Sequence, residues 1–509
     1  MPVKAPNVYQ VMDIAESFGV SLADQEAKEF TDVMAGIAAN MAVLDTYPEP
    51  KLPVKYPRTP GYRPSAEEDP LNAWYRKTNI EGAKSGPLKG KRIALKDNIS
   101  VAGVGMQNGS AILEGFVPDI DATVVTRILD AGGTIVGKAA CTDLCFDGHG
   151  MDSPRGGKNP HNPEYGAGGS SSGSAAVLVT GEADITIGGD QAGSIRIPAS
   201  WSGVYGLRPT HALVPFTGVM GNDMTLDTIG PMANTVEEVA LLLSVIAGVD
   251  GLDPRQINIQ TDDYLGKLDG GVKGLKIGIL KEGFGHKQGA TGASEPAVDK
   301  KVRAAAKKFE KLGATLEEVS IPMHTHGINL WLGIGIEGST NRMVKLNGMG
   351  TNWQGYYDTA LLDSYAHARL TRPNDLPDTV KLTMFMGEYL SKFYNGRYYA
   401  ITQNLRRLLR QQYDDVLSKY DLILMPTTPM KAQKFAETND GLANYFARSW
   451  DMVGNTCPTC LTGHPGISVP CGMIDGLPVG MMLIGKHLDD ATVLRAAYAF
   501  EHSGDWKSE

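Results

Sequence analysis

The chain has 509 residues, 21% of them charged and 42% hydrophobic, with a formal net charge of −9. This composition is that of a globular protein with a large core, roughly two to four domains by length. The acidic balance argues against a nucleic-acid partner. The lack of any stretch of about 18 apolar residues argues against a membrane span.

The start, MPVKAPNVYQV, has no charged head followed by an apolar run, so no secretory signal is expected. Val8, Val11, Met12, Ala15 and Phe18 fall at helical spacing, and a second helical pattern runs from about Leu22 to Leu44. Pro48, Pro50, Pro53, Pro57, Pro60 and Pro64 follow, an extended stretch that closes an N-terminal helical segment at about residue 65. Beyond it, Arg92–Leu95 reads as a buried strand, 122–131 as a helix stopped by Gly132-Gly133, and Thr134–Gly137 as a strand. Ile185–Ile187 is strand-like, and Thr235 and Glu238 form a capping box for an apolar helix reaching Ala247. Strand, helix and strand follow at 275–280, 296–312 and 315–321, the helix closed by Gly313. A long helix is expected at 397–419, a strand at Leu422–Met425, a late strand at Val479–Ile484 and a final helix at 491–501. Alternating strands and helices define an α/β body over 66–509, built on a large, mixed, mostly parallel sheet flanked by helices. A subdomain is expected around 320–420.

Five cysteines, few and odd in number, suit a reducing cytoplasm. Cys457-Pro-Thr-Cys460 has the CxxC form, but no second pair stands at zinc spacing, which favours plain thiols.

The chemistry concentrates between Gly166 and Pro198, GAGGSSSGSAAVLVTGEADITIGGDQAGSIRIP. Gly169–Gly173 matches G-x-S-x-G, yet loop-forming residues precede it where a nucleophile elbow needs a strand. Gly188–Ser194 does follow a strand. Its glycines allow consecutive N–H groups to converge as an oxyanion nest, with Ser194 beside them as a nucleophile. A serine needs a base. His149, His161 and His211 lie in loops without motif context. Lys96, at the buried end of its strand, is the other candidate, although most lysines beside an aspartate such as Asp97 are solvated.

Together, ALKDNI around Lys96, GGSSSGSAA, GGDQAGSIRIPA, DTIGPMANTVEE and HPGISVPCG with GLPVGMMLIG closely resemble the amidase signature family. The resemblance spans about residues 70 to 500. The N-terminal helices, CTDLCFDG, and the stretch from KYPRTPGYRP to NAWYRKT resemble the bacterial amidases of nitrile metabolism more than amidotransferase A subunits. It implies an amidase-signature fold and a Ser–cis-Ser–Lys triad in which Lys96 is the base, Ser170 the relay and Ser194 the nucleophile. Ser170 is chosen over Ser171 and Ser172 because it is the first serine after the paired glycines, 24 positions before Ser194. The Ser170–Ser171 peptide is then expected to be cis. The resemblance implies that the N–H groups of Gln191, Ala192, Gly193 and Ser194 form the oxyanion hole.

Asp190 and Arg196 orient this loop or form a buried structural pair, two compatible readings, and Ser171 is placed near the nucleophile. Phe146, Leu226 and Trp331 are candidate walls of the acyl pocket, each also readable as core. Three departures stand out: Ala192 where the family commonly has glycine, Thr142 where an acidic residue is frequent, and Thr228 where histidine is frequent. The expected activity is cleavage of carboxylic acid amides to carboxylate and ammonia through an acyl-enzyme, without metal or cofactor. A carbamate or ester hydrolase using the same triad is the alternative, then an amidotransferase A subunit or an inactive binding protein on the same fold. The partner is a small amide or carbamate, not nucleic acid or membrane, and the N-terminal helices serve a homodimer or cap a monomer.

Overall fold

Strands of this chain form where β-branched and apolar residues run between glycine, proline and aspartate breaks. In the computed structural model, which describes residues 3–154, 156–289, 291–351, 353–437 and 441–508, two compact units result, Met1–Pro53 and Val54–Glu509. The first contains the expected helices, Val8–Ser17 and Asp24–Ala42. Asn7 caps the first of them in a reciprocal capping box with Gln10. The unit ends at Pro53 rather than near residue 65. The prolines from Val54 onward belong with the main body, where Lys55 and Tyr56 bind Asp130, Arg58 binds Asp121 and Tyr62 bridges to Lys77.

The second unit is built on eleven strands: β1 Trp74–Glu81, β2 Arg92–Lys96, β3 Thr134–Ala139, β4 Ile185–Asp190, β5 Tyr205–Arg208, β6 Thr228–Ala233, β7 Lys276–Leu280, β8 Thr315–Val319, β9 Leu422–Pro426, β10 Gly466–Ile474 and β11 Leu477–Ile484. They form one sheet in the order β1-β3-β2-β4-β6-β5-β10-β11-β9-β7-β8. The sheet is large and mixed, but not mostly parallel. The parallel pairs are β3-β2, β2-β4, β9-β7 and β7-β8, and the centre and the β1 edge are antiparallel. One cause is the β10–β11 hairpin, whose two-residue turn is Asp475-Gly476 with φ of 51° and 78°. An Asp-Gly turn of this hand joins antiparallel strands directly. β5, β6 and β10 escape the periodicity because each is short or broken by glycine and proline, as in Thr228-Ile-Gly-Pro-Met-Ala233.

β2 and β4 run parallel side by side, with Leu95 opposite Ile187. Ile93, Leu95, Ile185, Ile187 and Ile229 anchor them in the main core. Their C-terminal ends therefore deliver Lys96 and Asp190 to the same edge of the sheet, fully buried. The segment between β8 and β9 is helical, with Gly327–Ser339, Thr359–Thr371, Asp378–Tyr394 and Arg397–Leu417 as its main helices. Its first helix brings Trp331 to the site described next.

Candidate active site

Lys96 is fully buried, and its Nζ lies 2.6 Å from Ser170 Oγ and 3.3 Å from the Gly189 carbonyl. A charged or polar group this deep is stable only with partners, and those two oxygens supply them. Ser170 leads into the helix Ser172–Val179. The cis peptide is Gly169–Ser170, one bond ahead of the expected Ser170–Ser171. Glycine is required on its N-terminal side, where a Cβ at position 169 would stand 2.3 Å from the Asp147 carbonyl. Ser171 Oγ donates to the Gly189 carbonyl and accepts from the Gly189 N–H.

β4 ends at Asp190, and the loop Gln191–Ser194 turns from it into the short helix Arg196–Ser202. Gly193 has φ +136°, and a Cβ there would meet Thr456 Oγ1 at 2.3 Å, so only glycine fits. Two side chains fasten the neighbouring carbonyls: Trp331 Nε1 donates to Gln191 at 2.8 Å, and Thr456 Oγ1 donates to Ala192 at 2.5 Å. The N–H groups of Gln191, Ala192, Gly193 and Ser194 have no acceptor among the described residues. Of these four residues, Gln191, Ala192 and Ser194 line a cavity. Ala192 is not among the residues of positive φ, so its methyl costs the backbone nothing and instead faces the cavity.

Behind the loop, Asp190 receives two 3.0 Å hydrogen bonds from Arg196, with Arg208 at 3.7 Å, Ile195 N–H at 3.2 Å and Cys460 Sγ at 3.2 Å. Burial pushes this carboxyl up, but the guanidiniums and hydrogen bonds outweigh it and bring Asp190 down to about 2. Arg196 also donates to Thr459 Oγ1 and to the Thr456 carbonyl, which ties the loop to the helix Cys457–Thr462. All five cysteines are free and buried.

The cavity, of about 570 Å³ including its mouth, is lined by Ser194, Gln191 and Ala192 on one side. Its walls include all three expected pocket residues, Phe146, Leu226 and Trp331. Ile328, Trp450 and Val453 complete an apolar surround that the sequence reading did not single out. Cys145 also lines it. Its thiol is lowered by hydrogen bonding to Cys141, against burial, with help from Lys96 and Ser170. The Gln191 side chain faces Asp227, whose carboxyl burial raises to about 7. Next to Lys96, Asp97 forms a fully buried ion pair with Lys138 at 3.1 Å. Thr142 donates to the Asp147 carbonyl, and Thr228 lies 3.5 Å from His211 Nδ1. No described helix is long and apolar enough to cross a membrane.

Residues 66–494 match the family model for amidases. An enantioselective amidase of Rhodococcus rhodochrous is 42% identical over 510 residues, covering 98% of this chain and 96% of that one. The A subunit of the glutamyl-tRNA(Gln) amidotransferase of Methanosarcina acetivorans is 39% identical over 89% of this chain and 94% of its own length. A crystal structure of a bacterial aryl acylamidase of the amidase signature family superposes with a TM-score of 0.68, covering 98% of this chain and 92% of that one. At 24% identity that last likeness is one of fold. The chain belongs to the amidase signature family and is an enzyme of the amidase type.

Proposed function

We propose that the chain hydrolyses carboxamides to carboxylate and ammonia through an acyl-enzyme on Ser194. The observation that carries this reading is the buried 2.6 Å contact between Lys96 Nζ and Ser170 Oγ beside a cavity that Ser194 lines. In its neutral form Lys96 accepts the Ser170 proton while Ser170 accepts that of Ser194, and Ser194 Oγ attacks the amide carbon. The carbonyl oxygen becomes an anion held by the N–H groups of residues 191–194. The proton returns through Ser170 to the leaving nitrogen, ammonia departs, and water enters by the same relay to release the acid. Each N–H in such a hole is worth about 10²–10³ in rate. Asp190 and Arg196 act from behind the loop as its fixed support.

The apolar walls support an acyl group that is aliphatic or aromatic rather than charged. A panel of aliphatic amides, aromatic amides and ethyl carbamate, assayed for ammonia, tests this. The amide reading predicts turnover of apolar amides by the isolated chain that Ser194→Ala removes. Faster turnover of the carbamate would move the assignment to urethane hydrolysis. Ammonia release only with added protein partners would move it to the amidotransferase class.

Large apolar side chains stand exposed on the N-terminal helices, among them Phe30, Val33, Ile37 and Leu44, which supports their use in a homodimer. Five free thiols support a reducing, cytoplasmic location.

A further inference from the structure

We infer that Asp414, His464 and His487 form a site for one divalent transition-metal ion of the zinc or copper class, apart from the catalytic cavity. Three separate elements bring the residues together. Asp414 comes from the helix Arg397–Leu417, His464 from the turn before β10, and His487 from the loop after β11. One ligand atom from each lies within 4.8 Å of the other two. His464 Nε2 stands 3.0 Å from Asp414 Oδ1, and the two imidazole centroids are 4.2 Å apart. None of the three lines the cavity that holds Ser194.

The surroundings match what a metal-binding histidine requires. A ligating imidazole uses its second nitrogen to bond a fixed polar group, which sets the tautomer and aims the first. Thr462 does this for both rings. Its carbonyl accepts from His487 Nε2 at 3.0 Å, and its hydroxyl bonds His464 Nδ1 at 2.9 Å. That leaves His487 Nδ1 and His464 Nε2 for a metal, with Asp414 Oδ1 as the third ligand.

The charges select the ion. Arg410 Nε lies 3.6 Å from Asp414 Oδ2, and Arg208 donates to the His464 carbonyl. A single carboxylate already shared with a guanidinium does not hold calcium or magnesium, which take mostly oxygen ligands. Two imidazoles and one carboxylate do suit zinc or copper, with a water in the fourth position. Thr462 ends the helix whose Thr459 and Cys460 contact Arg196. A bound ion would therefore brace that helix against Arg397–Leu417.

The test uses the full chain without a histidine tag, stripped with chelator and titrated with Zn²⁺ against a chromophoric competitor. The expected result is about one ion per chain and a Co²⁺ adduct with visible d–d absorption. Asp414→Asn and His487→Ala should each lose that ion. Thr462→Val keeps every ligand and should weaken binding at least about tenfold. Because the Asp414 side chain is half-exposed on its helix, Asp414→Asn keeps the test sound should His487→Ala misfold. Absence of saturable uptake by the wild-type chain, or equal uptake by Asp414→Asn, would overturn the site.

Discussion

Asp190 shows how one buried carboxylate sets both stability and loop geometry. Its folded pKa, about 2, lies below the ordinary value of 3.8. A depressed carboxylate binds fewer protons folded than unfolded at intermediate pH. Its contribution is therefore complete above about pH 4 and is lost as pH falls toward 2. Asp190→Asn leaves the Arg196 charge buried without its partner and should cost about 3–5 kcal/mol. Urea unfolding at pH 7 measures it, and a loss under about 1 kcal/mol would contradict the assigned pair. Ala192 is a milder case. Its φ is ordinary, so Ala192→Gly should keep turnover of small amides and admit bulkier acyl groups; an inactive Ala192→Gly would mean that the methyl orders the loop. Cys145 faces the cavity with its thiol pKa lowered. Iodoacetamide should inactivate the enzyme faster as pH rises, and Cys145→Ser should resist. Equal inactivation of both would place the reactive thiol elsewhere.

At the level of elements, the fold resolves what short motifs left open. The segments carrying Lys96, Ser170 and Ser194 stand out in the sequence because each is compact, and β2 and β4 were readable as apolar runs. The contacts that hold the loop 191–194 do not, because they arrive from far along the chain. Trp331 reaches Gln191 across 140 positions, and Thr456 reaches Ala192 across 264. Trp331 was expected as a wall or as core; its indole N–H also donates to the loop at Gln191. The CxxC segment, read as plain thiols, places Cys460 on Asp190. No local pattern marks such contacts: Trp331 arrives on the helix Gly327–Ser339 and Thr456 from the turn before the helix Cys457–Thr462. Thr456→Val removes one hydrogen bond to the loop, worth about 1 kcal/mol. Steady-state kinetics should show kcat lower by roughly fivefold with KM little changed. A change in KM alone would assign Thr456 to substrate binding.

For the whole molecule, the N-terminal helices form a compact unit of their own, Met1–Pro53. Only Val11, Ala27 and Ala38 are buried within those helices, while Phe30, Val33 and Ile37 are exposed. Val33→Glu with Ile37→Glu should therefore convert a dimer to a monomer by light scattering, with the amide kcat retained. A monomeric wild-type chain would rule out the dimer. The central claim, that amide cleavage passes through an ester on Ser194, is tested most directly by rapid-quench mass spectrometry. During turnover of an apolar amide, a transient mass increase equal to the acyl group is expected, mapped to Ser194 and absent in Ser194→Ala. Turnover without an adduct, or an adduct on another residue that persists in Ser194→Ala, would contradict it.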